Sequence, residues 1–132
     1  MATAAQTTPN TPFYKLGGHA TFRAITERFY DLMDSDPAYA ELRAMHAEDL
    51  TKMRSALALF LAGWAGGPRD WFDQNPGRCM MCVHKPYIIS KQVAEQWAEA
   101  MQRAIADVAP EEAELAKAMG GVLGELATGM GR

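Results

Sequence analysis

Apolar residues recur every three or four positions through most of this chain, whereas the alternation typical of strands is scarce. Residues 19–34 show the pattern clearly, and this spacing predicts an amphipathic helix. Gly17 and Gly18 precede the helix, and the Asp-Ser-Asp-Pro run at residues 34–37 ends it. Its predicted inward face contains Phe22, Ile25, Phe29, Leu32 and Met33.

Two further helical segments are predicted before residue 68. The first is short, and its apolar face contains Tyr39, Leu42 and Met45. The second is longer; either Asp49 or Thr51 could cap its start, and a Gly-Gly-Pro run at residues 66–68 stops it. The apolar face of this longer helix contains Met53, Leu57, Phe60, Leu61 and Trp64.

The C-terminal part of the chain contains two more predicted helices. Ser90 can cap a helix over about residues 90–108, and Pro110 opens another over about residues 110–127. The inward residues of the first are Val93, Trp97, Met101, Ala104, Ile105 and Val108, and those of the second are Leu115, Met119, Val122, Leu123 and Leu126. The sequence therefore predicts an all-α domain of five or six helices.

The stretch over residues 66–89 is long and irregular for a helix connection, which normally takes two to eight residues. Its Asp-Gln-Asn-Pro-Gly run at residues 73–77 is typical of a loop, but the flanking aromatics and methionines are too apolar for a free loop. We therefore expect the segment to pack onto something. It contains His84, one of three histidines in the chain.

His84 is surrounded in sequence by bulky apolar side chains, including Trp71 and Met81 before it and Tyr87 after it. A haem iron needs such a setting, because the imidazole supplies the axial bond and the apolar wall keeps water from the porphyrin. A hydrogen-bonded histidine of the core would have the same neighbours. The surroundings alone leave both interpretations open.

Size and charge narrow the possible functions. A chain of 132 residues is expected to form one domain, and a net charge of −3 with no basic stripe gives little support for nucleic-acid binding. No apolar run approaches the roughly 18 to 20 residues of a membrane span. Residues 1–12 lack the features of a signal peptide and are expected to be a disordered tail before a domain over residues 13–132. Without a secretory signal, the two cysteines point to a reducing cytoplasm.

Those two cysteines, Cys79 and Cys82, form a C-x-x-C pair. A zinc site would need more ligands, and a c-type haem attachment would need a histidine where Val83 stands. The pair is either two small apolar residues beside the histidine or a dithiol that closes under oxidation.

Several motifs in fixed order resemble those of the truncated (two-on-two) haemoglobins, and most closely group II. The resemblance runs from Phe13 to about Val108. Its elements are Phe13-Tyr14-Lys15-Leu16-Gly17-Gly18 with Thr21-Phe22, then Arg28-Phe29-Tyr30, then Phe60-Leu61 with Gly66-Gly67-Pro68, and finally His84-Lys85-Pro86-Tyr87-Ile88-Ile89-Ser90 with Trp97 and Met101. The resemblance implies a truncated globin fold, a two-over-two helical sandwich around haem b (iron protoporphyrin IX).

The resemblance also implies roles for individual residues. His84 corresponds to the proximal iron ligand, Tyr30 and Trp97 to the distal tyrosine and tryptophan, and His46 to a third polar distal position. His46 could instead bind the iron as a sixth ligand. Met53 faces the ligand in place of a distal histidine, with Leu57 and Phe60 further along the helix. The expected proximal wall includes Trp71, Met81 and Tyr87. The haem propionates are assigned first to Arg78 or Lys85, with Lys52 and Arg54 as further candidates.

Three classes of function follow. The first is reversible binding of O2 and other diatomic ligands, with slow O2 release because Tyr30, Trp97 and His46 could each donate a hydrogen bond. The second is a haem enzyme for nitric-oxide dioxygenation or peroxide-dependent oxidation, in which His46 is a general base and a reductase is a partner. The third is a haem-free interaction module or thiol redox protein. The expected state is a cytoplasmic monomer or homodimer.

Overall fold

The structure is a computed structural model that describes residues 11–76 and 90–130, apart from the side chains of residues 127–130. Within these ranges the chain forms helices and turns without a strand. Seven α-helices and two short 3-10 helices are present there. The all-α prediction is confirmed.

The first two helices are joined by the predicted double glycine. Helix α1 spans Pro12–Leu16, starting one residue before the expected beginning of the domain, and α2 spans His19–Ser35. Gly17 and Gly18 have φ values of 116° and 77°, a left-handed region that favours glycine because it has no Cβ. The turn brings α1 against the end of a later helix, where the Phe13 N–H donates to the Ala65 carbonyl over 3.0 Å.

A tight corner connects α2 to the next long helix. Asp36 ends α2 and caps a 3-10 turn over Pro37–Tyr39, because its carboxylate accepts from the Ala38 N–H over 3.0 Å. Helix α3 spans Ala40–Ala44, and α4 spans Thr51–Trp64. Neither predicted residue is the N-cap of α4, since that position is Leu50. The Asp49 carboxylate instead accepts from the backbone N–H of Thr51.

Helix α5 spans Asp70–Gln74 and lies within the stretch where helical periodicity fails. A Cβ at Gly63 would lie 2.7 Å from the Phe72 ring, so the missing side chain lets α5 pack closely on α4. Helix α6 spans Lys91–Val108 and begins at Ser90, whose hydroxyl accepts from the Val93 N–H as predicted. A 3-10 turn over Pro110–Glu112 then leads into α7, Ala113–Met130.

Two helix pairs enclose one core. Helix α2 packs against α4, α6 packs against α7, and α2 also contacts α6 across the two pairs. The side chains that fill the space are among the most deeply buried in the described residues: Phe22, Ile25, Phe29, Met33, Leu61, Met101 and Ile105. This arrangement brings Arg54 of α4 to 5.7 Å from the Tyr30 ring and Trp97 of α6 to 5.4 Å from the Phe29 ring.

Some residues predicted to face inward do not. Val122 and Leu126 are 48% and 44% exposed on α7, and Met45 is 37% exposed after α3. Their periodicity matched an inward face, but the buried stripe of α7 is narrower and contains Ala116, Met119 and Leu123. Among the described helices, none is long and apolar enough to cross a membrane.

Candidate functional site

Tyr30 lies at the centre of the candidate site, on the third turn of α2. Only 2% of the residue is exposed, and its ring lies 4.9 Å from that of Phe29 in an edge-to-face arrangement. Burial raises the pKa of Tyr30 to about 12, against the opposing effect of the nearby Arg54 charge. The phenol therefore keeps its proton at neutral pH and remains a hydrogen-bond donor.

The Tyr30 hydroxyl makes no hydrogen bond with any described residue, although its ring is buried. No fully enclosed side-chain N or O atom of the described residues lacks a partner, so this hydroxyl is not enclosed and has access to adjoining space. Leaving a donor unsatisfied beside apolar groups costs free energy unless another molecule accepts from it. The hydroxyl is therefore suited to receive a polar ligand.

Trp97 reaches the same region from α6. Its half-buried ring lies 5.4 Å from the ring of Phe29, so one phenylalanine contacts both Trp97 and Tyr30. Its indole N–H makes no hydrogen bond in the described part of the chain. The structure thus places the two predicted distal donors on either side of Phe29, a contact that helical periodicity does not reveal.

His46 follows α3 and lies near Tyr30, with 6.1 Å between the ring centroids. Its Nδ1 is 2.9 Å from the Leu42 carbonyl oxygen. Because a carbonyl can only accept, Nδ1 carries the proton, and in the neutral ring Nε2 carries none. With Nδ1 donating to Leu42, donation from Nε2 would require the imidazolium.

The peptide group of Leu42 is held from both sides. Its carbonyl accepts from His46, and its N–H donates to Oε1 of Gln96 on α6 over 3.1 Å. Gln96 directly precedes Trp97. The segment that carries His46 is therefore tied to the helix that carries Trp97.

Apolar side chains of α4 and α5 form a half-buried surface beside these polar groups. Leu57 and Phe60 pack against the core while part of each stays accessible, and Met53 is 42% exposed. Trp71 lies edge-to-face on Phe60, with 5.2 Å between the ring centroids. All four were predicted site residues. Trp64 and Phe72, which were not, share this partly accessible surface.

Arg54, a candidate for a propionate, is engaged elsewhere. Its guanidinium donates to the Glu27 carboxylate over 2.7 Å and lies 3.1 Å from that of Asp31, both on α2. Its guanidinium carbon is 5.7 Å from the centroid of the Tyr30 ring. Lys52 is exposed. Burial lowers the pKa of Arg54, but its hydrogen bonds to Glu27 and Asp31 outweigh this effect and raise it above its ordinary value. The hydrogen bond from Arg54 in turn lowers the pKa of Glu27, against the opposing effect of burial.

The remaining predicted residues fall in the segment over residues 77–89, outside the described residues. They are the expected iron ligand His84, the propionate candidates Arg78 and Lys85, the proximal-wall residues Met81 and Tyr87, and the C-x-x-C pair Cys79 and Cys82. Helices α5 and α6 end and begin on either side of this segment. The described residues of the site therefore comprise two donors without a hydrogen-bond partner among them, a histidine and the apolar side chains of α4 and α5.

The chain matches the family model described as bacterial-like globin over residues 11–130. Among solved structures, it is similar to a cold-adapted truncated haemoglobin from the Antarctic marine bacterium Pseudoalteromonas haloplanktis, with 31% identity, 93% of this chain and 98% of that chain covered, and a TM-score of 0.87. A group II 2-on-2 haemoglobin from the plant pathogen Agrobacterium tumefaciens gives 29% identity, 96% and 97% coverage, and a TM-score of 0.89. A haemoglobin from the thermophilic phototrophic bacterium Chloroflexus aurantiacus gives 27% identity, 94% and 99% coverage, and a TM-score of 0.81.

Proposed function

Because this chain belongs to the bacterial-like globin family and has the fold of the group II truncated haemoglobins, we propose that it binds haem b and, through it, O2 and other diatomic ligands. The haem iron supplies the coordination position at which such ligands bind. His84 is the proposed protein ligand of that iron.

The described residues fit a haem on two counts. The partly accessible side chains of Leu57, Phe60 and Trp71 offer a flat ring the apolar contacts it needs. The Tyr30 hydroxyl carries the proposal: its ring is buried, it has no hydrogen-bond partner among the described residues, and a diatomic ligand with partial negative charge would satisfy it. A globin core without ligand chemistry would have no need for such a donor.

The distal donors are proposed to slow O2 release. Tyr30 donates through its phenol and Trp97 through its indole N–H, and each hydrogen bond in a dry pocket contributes about 1 to 3 kcal/mol. Met53 cannot donate. His46 in its neutral form adds no N–H from Nε2, so it strengthens the network by donation only when protonated. Slow release suits sensing, scavenging or redox chemistry better than bulk transport.

The finer assignments belong to the same proposal. The expected protein is cytoplasmic, a monomer or homodimer, and served by a reductase that keeps the iron ferrous. Arg78 and Lys85 are the proposed partners of the propionates, and Met81 and Tyr87 the proposed proximal contacts. Residues 1–12 are proposed as a disordered tail.

An absorption spectrum of the purified protein tests the proposal. We expect a Soret band, and we expect His84→Ala to lose it, because the imidazole of His84 is the proposed bond between the protein and the iron. His19→Ala is the matched control: His19 is exposed and packs only on the edge of Phe13, 5.0 Å between ring centroids, so its loss should leave the band unchanged. An unaltered Soret band in His84→Ala would refute the assignment of His84.

A second candidate function is peroxide-dependent oxidation on the same haem. His46, whose ring centroid lies 6.1 Å from that of Tyr30, is the proposed general base toward peroxide. Peroxidase turnover that falls at least about 100-fold in His46→Leu, within the range of general-base catalysis, would favour this function. Turnover that is low and equal in both proteins would exclude it.

A further inference from the structure

Arg54 is the charged side chain that bridges α4 and α2 next to the proposed ligand pocket. It lies in the first turn of α4, directly after Met53, and only 20% of its side chain is exposed. One guanidinium nitrogen donates to both the backbone carbonyl and the carboxylate of Glu27, over 3.2 and 2.7 Å. The other lies 3.1 Å from Asp31 and 3.9 Å from Asp34.

These carboxylates bracket Tyr30 along α2. Glu27 lies three residues before it, Asp31 directly after it and Asp34 one turn later. Because the Arg54 guanidinium contacts all three carboxylates, it lies over the Tyr30 ring. The guanidinium carbon is 5.7 Å from the centroid of that ring. Arg54 is thus fixed over the phenol by the acids on both sides of it.

This geometry affects both the position and the donor strength of the hydroxyl. A cation near an aromatic ring is attracted to its electrons and stabilises negative charge on the phenol oxygen, which makes the O–H a better donor. The same contacts fix the distance between the start of α4, where Met53 lies, and α2. A lysine could not reproduce them, since its ammonium lacks the planar fork of donors.

We propose that Arg54 is a positioning residue for the distal pocket: it holds the first turn of α4 to α2 across the Tyr30 ring, and so sets where the Tyr30 hydroxyl lies and how strongly it donates. The role rests on the proposed function for its effect on ligand release. Its effect on Tyr30 does not require haem.

The chain offers a matched control in Arg23. This arginine also joins α2 to α4 and also contacts Glu27: it lies 3.3 Å from that carboxylate and donates to the Ser55 hydroxyl over 3.1 Å. It is 47% exposed and is not among the cations that lie over an aromatic ring in the described residues. Arg23→Gln therefore removes a similar bridge without touching Tyr30.

The first measurement uses the full chain without haem. With tyrosine labelled by ¹³C at Cζ, the four tyrosines give four resonances, and Tyr30→Phe assigns the one from Tyr30. We expect Arg54→Gln to move that resonance, Arg54→Lys to move it less and Arg23→Gln to leave it in place. A Tyr30 resonance that stays in place in Arg54→Gln would overturn the proposal, even if the protein never binds haem.

The second measurement is the O2 dissociation rate of the haem-loaded protein. Arg54→Gln should accelerate release by roughly threefold to tenfold, since part of one hydrogen bond is lost. The same substitution in a Tyr30→Phe background should have no further effect. Equal acceleration in both backgrounds would assign Arg54 a general structural role and overturn the proposal. A rate unaffected by Tyr30→Phe alone would instead refute the donor role of Tyr30.

Discussion

The two helix pairs of this protein are held together in different ways. Where α6 meets α7, small residues allow the backbones to approach closely: a Cβ at Gly124 would lie 3.4 Å from that of Ala98, and one at Gly120 would lie 2.9 Å from the Gln102 side chain. Where α2 meets α4, arginines bridge to carboxylates, and the apolar side chains Leu57 and Phe60 remain partly accessible.

This difference indicates that the α6–α7 contact serves stability, whereas the α2–α4 contact leaves space for a ligand. The α6–α7 contact is filled by its own side chains, among them Gln102, which donates to the Gly120 carbonyl over 3.2 Å. Such close packing leaves no room for another molecule. A pair joined at one end by charged groups can keep an apolar face that is not filled by its own side chains. We infer that the contact between α6 and α7 serves stability alone, whereas the contact between α2 and α4 also provides a wall for the proposed ligand pocket.

The largest effect on stability should come from truncating a buried side chain of α7. Leu123, 2% exposed, contributes to the face of α7 that packs into the core, so Leu123→Ala should lower the free energy of unfolding by about 2 to 5 kcal/mol. Val122→Ala, at the adjacent exposed position, should change it by less than about 0.5 kcal/mol. Urea denaturation of both variants checks this. Similar losses would mean that Val122 is covered in solution.

Two buried tyrosines should give effects of intermediate size, one on stability and the other on ligand release. The Tyr39 hydroxyl donates to Glu99 over 2.8 Å and accepts from Arg103 over 2.9 Å, so Tyr39→Phe should cost about 1 kcal/mol of stability and leave O2 release unchanged. Tyr30→Phe should accelerate O2 dissociation roughly 5- to 100-fold at little cost in stability. Stopped-flow ligand replacement and denaturation together check the pair. If both variants changed the same quantity, the distinction between a tyrosine that stabilises the fold and one that controls ligand release would be refuted.

The smallest effect should be that of low pH on the ion pair between Arg54 of α4 and Glu27 of α2. The hydrogen bond from Arg54 holds the pKa of Glu27 below its ordinary value, so this stabilisation is present at neutral pH and is lost as the pH falls from about 4.3 through the lowered pKa. The carboxylate is 40% exposed, which limits the contribution to less than about 1 kcal/mol.

Unfolding measured at pH 7 and pH 3.5 tests this expectation. Glu27→Gln should be less sensitive to acid than the parent, because it has no carboxylate to protonate. Glu111→Gln, on the exposed turn before α7, should keep the acid sensitivity of the parent. Identical acid sensitivity in Glu27→Gln and the parent would remove Glu27 from the network that stabilises this end of the pair.

Helical periodicity predicted the long helices well, because each offers several turns over which an apolar face can repeat. It missed α1 and α5, which have five residues each and therefore little more than one turn. It also assigned Val122 and Leu126 to the core, since spacing identifies an apolar stripe but not how much of that stripe another helix covers.

The sequence predicted which residues form the candidate site but not the contacts between them. Tyr30 and Trp97 lie near one another through Phe29, yet they are separated by most of the chain. The tautomer of His46 depends on the Leu42 carbonyl, and the use of Arg54 depends on acids of another helix. Such contacts arise only when the helices pack, so no local pattern could reveal them.

The two hydrogen bonds of the Leu42 peptide group couple the positions of His46 and Trp97. Its N–H is held by Gln96, next to Trp97, and its carbonyl by His46. A shift of α6 would therefore move Trp97 directly and His46 through one amide plane. Substitutions at these two positions should not add as independent perturbations, and a double-mutant cycle would measure that dependence as a coupling energy.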